Sequence, residues 1–413
     1  MSYQIFHRNS CRLCDSLDVR LVVKLEPIPP QEMYFDNAEQ ARNVERFPVD
    51  VYMCKSCGHV QQMDILNSQA LWDDYTYHSA NAKGMVEHFQ EVATHIINTY
   101  KPPNDSLVID VGSNDGSLLK PFKDKGFRVL GVDPAKEIAE SATDSGIYTI
   151  PELFTENLAH SIREQYGSAS VITAFNSFAH ADNLEDLTLG VIKLLKDDGI
   201  FVFEVQYLLD VIQKMLVGTI FHEHMSHHSL TPLKLFLERI GFTIINVSRS
   251  HIQHGSLIGI AQKTGYAKRV HKSVEDLLAL ENTEKLCQIS SMEKFNDRLT
   301  MIRQEVQILI SEWKGNDFRI AGYGAARSGQ TLISQFGFEG VIEYILDDNP
   351  DKVYKYPAGD GIQVIPTVEL YKRKPDIVII LAWVHSQRII EEHQNFLENG
   401  GHFVVISPDI QVI

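Results

Sequence analysis

Apolar positions recur at helical spacing over residues 83–100, KGMVEHFQEVATHIINTY, which predicts an amphipathic helix. Short continuous apolar runs follow, each the length of a buried strand: SLVID ending at Asp110, RVLGVD ending at Asp133, SVITAF (170–175) and GIFVFEV (199–205). Helical stretches such as SLLKPFKDKG separate them, and strands alternating with helices predict a doubly wound, mostly parallel sheet. Residues 270–314 have no strand character and carry the charged helical segments SVEDLLALENTEKL and MEKFNDRLTMIRQEVQILISEW, which read as a helical bridge. The strand pattern then restarts at Phe318–Gly322 and continues through YILD, DIVIIL and HFVVIS, a second α/β unit.

Composition changes this picture little. At roughly 150 residues per domain, 413 residues give two or three domains. The formal charge of −16 argues against a nucleic-acid partner and against docking on an anionic membrane, since both require a basic footprint. The chain has no run of about 18 apolar residues, so no transmembrane helix is expected. The opening MSYQIFHRNS lacks the apolar core of a secretory signal, and the expectation is a soluble cytoplasmic protein.

Cysteines add the first chemistry. Cys11/Cys14 and Cys54/Cys57 form two Cys-x-x-Cys pairs with 39 residues between them, while Cys287 stands alone as a small core hydrophobe. Two such knuckles read as a four-thiolate Zn²⁺ site, a closed shell that folds a domain and does no catalysis. The gap exceeds ordinary zinc-ribbon spacing, and a β-rich insertion over 19–50 would fill it. The competing reading, a redox dithiol, needs only one pair.

The first strand opens into Gly112-Ser-Asn114-Asp115-Gly116, where backbone could approach a ligand closely. Asp133, 21 residues beyond Gly112 and followed by Pro134, is placed to accept ribose hydroxyls. The loop lacks the Gly-x-Gly-x-x-Gly of a dinucleotide site. Carboxylates at Asp110 and Asp115 would repel a pyrophosphate but suit a cationic ligand, and S-adenosylmethionine (SAM) carries a sulfonium and an ammonium. A class I SAM methyltransferase domain is therefore expected, with Phe154 a candidate to stack on adenine and Asn176 at a strand end where ligands collect.

Four histidines and a glutamate lie within seven residues in His222-Glu223-His224-Met-Ser-His227-His228. No His-Glu-x-x-His is present, and His222 and His224 would share a face only on a strand, so a metal and a proton-transfer cluster both remain open. His180, beyond Asn176, is expected to approach the same crevice.

These segments together resemble the nucleotide-sugar C-methyltransferases, notably the C-3′-methyltransferases of deoxysugars. The resemblance is carried by the paired Cys-x-x-Cys motifs, DVGSNDGSLL, FNSFAHADN, FEVQYLLDVIQ…GTIFHEHMSHHSL, His254-Gly-Ser256 and GYGAARSGQT. It implies an α/β protein with a small N-terminal zinc-binding domain (1–68), a Rossmann-like SAM methyltransferase domain (69–268), the helical bridge (269–314) and a C-terminal Rossmann-like, substrate-binding domain (315–413). The implied substrate is a nucleoside-diphosphate-linked 4-keto-6-deoxysugar. His224 would be the base that removes the C-3 proton, Glu223 and His180 would hold hydroxyls and the enolate, and Tyr75, or else Tyr77, would close the site. Tyr77, Tyr207, His222, His254, Tyr323, Arg327 and Asp347 would lie on the substrate side. Family members usually carry tyrosine where this chain has Phe221, which removes one hydroxyl donor.

Gly322-Tyr323-Gly324, with Asp347 and Asp348 downstream, also looks like a nicotinamide-dinucleotide fingerprint. An NAD-linked oxidoreductase and a non-catalytic zinc-ribbon interaction module are thus the competing readings. The loop continues Ala-Ala-Arg327-Ser-Gly329 rather than x-x-Gly, and Arg327 could pair with a diphosphate.

Overall fold

The computed structural model describes residues 3–67, 78–81 and 84–413. The chain divides into two compact units, each assembled from three segments. The first comprises residues 1–20, 53–209 and 225–289, and the second residues 21–52, 210–224 and 290–413.

In the first unit, seven strands form one sheet. They are β1 (Leu107–Val111), β2 (Arg128–Val132), β3 (Thr149–Ile150), β4 (Ala169–Phe175), β5 (Leu195–Gln206), β6 (Phe242–Ser250) and β7 (Ser256–Lys263). Their order is β6-β7-β5-β4-β1-β2-β3. The pairs from β3 to β5 are parallel, whereas β7 runs antiparallel to both β5 and β6. The four predicted strands are present, and their apolar runs are continuous because every residue of β1 and β4 is buried on both faces. Helix α1 (Met85–Tyr100) places Met85, Phe89, Ala93 and Ile96 in one stripe, packed in the same core as Val108, Val171 and Val202.

In the second unit the strands are β8 (Ile320–Tyr323), β9 (Tyr344–Leu346), β10 (Gln363–Ile365), β11 (Ile377–Ile380), β12 (His402–Val405) and β13 (Gln411–Val412). They are ordered β10-β9-β8-β11-β12-β13, parallel except for the last pair. Helix α2 (Arg327–Phe336) starts from the glycine loop after β8.

The interval between the cysteine pairs departs from expectation. Residues 21–52 join the second unit instead of filling out the zinc domain. Gln335 exchanges two hydrogen bonds with the Glu26 backbone (2.9 and 2.7 Å), Tyr34–Phe35 pairs antiparallel with Tyr356–Pro357, and Arg46 bridges Glu339 and Asp360. Ile28, Phe47 and Val49 are buried, so this segment has an apolar face of its own to cover. Among the described residues, no helix is long and apolar enough to cross a membrane.

Candidate functional site

The four knuckle cysteines converge, their sulfurs all within 4.8 Å of one another. Tight turns present them, with Asp15 N–H donating to Cys11 O and Gly58 N–H to Cys54 O, both at 2.9 Å. Gly58 has φ +82°, and a Cβ there would lie 2.4 Å from Cys287 Cβ, so only glycine fits. The hydrogen bond from Cys57 holds the Cys11 thiol down to about 5, while burial pushes Cys14 up to about 11. Four sulfurs this close cannot all ionise without a cation among them, and Zn²⁺ suits the tetrahedral all-sulfur set. Zinc is the structural metal of this chain.

Around the first glycine loop the carboxylates are buried and engaged. Asp110 accepts a hydrogen bond from Thr173 Oγ1 at 2.6 Å, and burial raises its carboxyl to about 7 despite that bond. Asp133 accepts from Asn114 N (2.8 Å) and Ala135 N (2.9 Å), and burial raises it also. Gly112 sits at φ +73° with its hydrogens against Ser177, where a Cβ would come within 2.4 Å of Ser177 Cβ. Ser177 Oγ in turn donates to Val111 O at 2.6 Å. Asn176 (φ +54°) and the short turn Phe178–His180 therefore cluster with the loop at the C-terminal ends of β1 and β4, where ligands bind in open α/β sheets. Asn114 and Asp115 also receive the backbone N–H groups of Ser79 and Ala80, at 2.9 and 2.8 Å. Gly116 lies in the same loop with φ +79°, and Pro134 follows Asp133. Phe154 is buried with its ring edge against Gly190, a packing position. Thr173, Ser79 and Ala80 escaped the sequence reading. Thr173 meets Asp110 only across two paired strands, 63 positions apart, and the other two act through backbone.

The histidine segment divides. His227 and His228 belong to the first unit, where Ser226–His227 pairs antiparallel with Val60–Gln61 and His228 stacks on Phe178. Burial lowers both imidazoles, His227 to about 4 and His228 to about 3, so they pack as neutral rings. His222, Glu223 and His224 belong to the second unit and lie in a turn, neither strand nor helix. His222 is fully buried, with Nε2 3.3 Å from Phe47 O. His224 Nδ1 lies 2.7 Å from Thr219 O. A carbonyl only accepts, so Nδ1 carries the proton and Nε2 is the basic nitrogen. The rings of His222 and His224 point to separate partners, and among the described residues the cysteines are the one converging ligand group.

Next to this turn lies the second glycine loop. Glu223 is buried, with its Oε1 3.9 Å from Arg327 Nη1, and burial pushes its carboxyl up while Arg327 pulls it down. The Phe221 ring lies 4.0 Å from His224, centroid to centroid, and 5.7 Å from the Arg327 guanidinium. Asp347 accepts from Ala325 N (2.7 Å) and Asn349 N (2.8 Å), bracing the loop. Tyr34 Oη donates to Ala325 O at 3.0 Å, and Lys352 Nζ donates to the same oxygen at 2.9 Å. Tyr323 Oη lies 2.9 Å from His393 Nε2, and burial pushes its phenol up to about 12. Glu32, Tyr34 and Lys352 were not anticipated, being single residues with no motif around them.

Two expected residues fall elsewhere, and two more are not among the described residues. Tyr207 is wholly buried in the first unit, its hydroxyl 3.0 Å from Glu281 Oε1, which also caps the helix starting at Leu230. His254 ends a short 3₁₀ turn (Ile252–His254) of the first unit with φ +67°, next to Gly255, whose carbonyl accepts from Tyr207 N. Tyr75 and Tyr77 lie outside the described residues.

Comparison with known proteins matches three family models in order along the chain. They are a zinc binding domain (residues 11–72), a methyltransferase domain (85–247) and a C-methyltransferase C-terminal domain (251–408). The C-methyltransferase NovU of Streptomyces niveus is 29% identical over 406 residues, spanning 98% of this chain and 97% of that protein. Among solved structures, the SAM-bound magnesium protoporphyrin IX methyltransferase of Synechocystis is 16% identical, covering 44% of this chain and 80% of its own (TM-score 0.34). The 1,6-didemethyltoxoflavin-N1-methyltransferase of Burkholderia thailandensis is 19% identical, covering 43% and 79% (TM-score 0.33). The three models matched in order, with a relative aligned along nearly the whole chain, show a methyltransferase built from a zinc binding domain, a methyltransferase domain and the C-terminal domain of C-methyltransferases.

Proposed function

We propose that the substrate is a nucleoside-diphosphate-linked 4-keto-6-deoxysugar, methylated at C-3 through an enolate formed by His224. The observation that supports this reading is the 2.7 Å contact from His224 Nδ1 to Thr219 O, which puts the ring proton on Nδ1; the preceding residue, Glu223, has its buried carboxylate 3.9 Å from Arg327. A C–H next to a ketone is a poor acid, so a positioned base and a group to stabilise the oxyanion are both needed. His224 Nε2 takes the C-3 proton, and the electron pair moves through C-3–C-4 onto the ketone oxygen. Glu223 accepts a sugar hydroxyl, and His180 holds the enolate oxygen. Arg327 pairs with the diphosphate. Asp110, Asp133 and the Gly112–Gly116 loop hold SAM, which when bound supplies the electrophilic methyl group.

The test is incubation with SAM and a panel of nucleotide-linked 4-keto-6-deoxysugars, with mass spectrometry for a methyl group gained on carbon. His224→Ala should reduce turnover by about 10²–10⁴-fold while SAM still raises the melting temperature. Full activity in that variant would remove the histidine from its role. No gain in any sugar, or a thermal shift with NADH instead, would remove the substrate.

A further inference from the structure

Beside Arg327 and Glu223, the second glycine loop holds a cation, Lys352, and a carboxylate, Glu32, to which the proposed reaction gives no role. Lys352 Nζ lies 3.2 Å from Glu32 Oε2, Arg327 Nε 3.9 Å from Glu32 Oε1, and Arg327 Nη1 3.9 Å from Glu223 Oε1. These four formal charges sum to zero, and Asp347 on the Ala325 amide adds one more carboxylate. A sugar-nucleotide diphosphate brings about two negative charges, and a cation already matched by a carboxylate gains little by exchanging it for another anion.

Three observations single out Glu32. Its backbone lies at φ +60°, the left-handed region that a non-glycine side chain resists. Each cation also rests over an aromatic face, Lys352 over Tyr34 at 5.2 Å and Arg327 over Phe221 at 5.7 Å, and would keep its place without Glu32. Finally, the first turn of α2 has Ala326 at its N-cap, with no side-chain hydrogen bond to its amides.

Building on the sugar-nucleotide reading, we propose that Lys352 and Arg327 are the diphosphate-binding pair of this loop and that Glu32 is an internal anion the diphosphate displaces. Glu32 keeps the two cations together in the ligand-free protein and competes for them when the nucleotide arrives. Lys352, held to Ala325 O, is then a binding residue and not a surface charge.

Calorimetric titration of the full chain with UDP and with dTDP tests this. Glu32→Gln and Glu32→Gly should each bind about tenfold tighter than the parent, and Lys352→Met about tenfold weaker. Affinity that is equal or weaker in both Glu32 variants, with their melting temperatures preserved, would make Glu32 a fixed structural counter-ion and overturn the proposal. Should those variants fail to fold, hydrogen exchange in the parent decides. Adding UDP should speed exchange around residue 32 if Glu32 is expelled, and protection there would refute it. Binding of either nucleotide by the parent with no Glu32 effect sinks displacement alone. A parent that binds neither removes the sugar-nucleotide reading as well.

Discussion

The two glycine loops occupy the same place in two similar sheets, each following a central strand, yet their charged side chains differ. The Gly112 loop is lined by Asp110, Asp115 and Asp133, two of them buried and pushed towards protonation. The Gly324 loop is lined by the cations Arg327 and Lys352, with Glu32 and Glu223 as their partners and Asp347 on the Ala325 amide. Backbone topology makes a crevice in both cases, and a few side chains decide the sign of what enters it. Under the proposed function, the first would take a cationic methyl donor and the second an anionic diphosphate.

The glycines offer the largest break in this comparison. A Cβ at residue 324 would sit 2.2 Å from Ala382 Cβ, and one at 112 would sit 2.4 Å from Ser177 Cβ, both at positive φ. Gly112→Ala should abolish SAM binding while sparing nucleotide binding, and Gly324→Ala the reverse, each costing about 3 kcal/mol of stability from strain and overpacking. Calorimetry with both ligands on both variants reads this directly. A variant that lost both ligands, or neither, would mean the loops do not divide the work.

A smaller effect comes from Asp110. Its folded value of about 7 exceeds the ordinary 3.8, so its contribution to stability is complete below about pH 4 and lost as pH rises through 7. A cationic ligand favours the carboxylate, so SAM affinity should rise about tenfold between pH 6 and pH 8, the change in the ionised fraction. Asp110→Asn should flatten that profile. A flat profile in the parent would place the cofactor's charge away from this carboxylate. The smallest difference concerns salt. Raising NaCl from 50 to 300 mM should weaken UDP binding several-fold and leave SAM binding, which involves buried carboxylates, nearly unchanged. Equal salt slopes would contradict the charge division.

Much of this was legible in the residues. Zinc ligation is local chemistry, and the knuckles announce it at Cys11, Cys14, Cys54 and Cys57. Fully buried strands such as SVITAF read as continuous apolar runs, and Asp110, Gly112 and Asp133 follow from their spacing along the first two strands. Of the strands not predicted, β10 and β13 are only three and two residues long, too short to leave a period. Contacts set by tertiary structure left no mark. Tyr207 is committed to Glu281, 74 residues away, and a single histidine run contributes His222–His224 to one unit and His227–His228 to the other. Glu32 and Lys352 meet across 320 positions, and neither has a pattern around it that signals the other.

The segment from residue 21 to residue 52 carries a consequence for how the chain is made. Both zinc knuckles have been synthesised once Cys57 is added, so the metal can close the loop between them early. The strand that pairs with Tyr34–Phe35 lies at Tyr356–Pro357, about 300 residues later. At roughly 5–20 residues per second, that apolar loop waits about 15–60 seconds for its partner. During that interval a zinc-tethered loop has less freedom to pair wrongly than an open one, so the metal acts as a holding device for a surface whose cover has not yet been made.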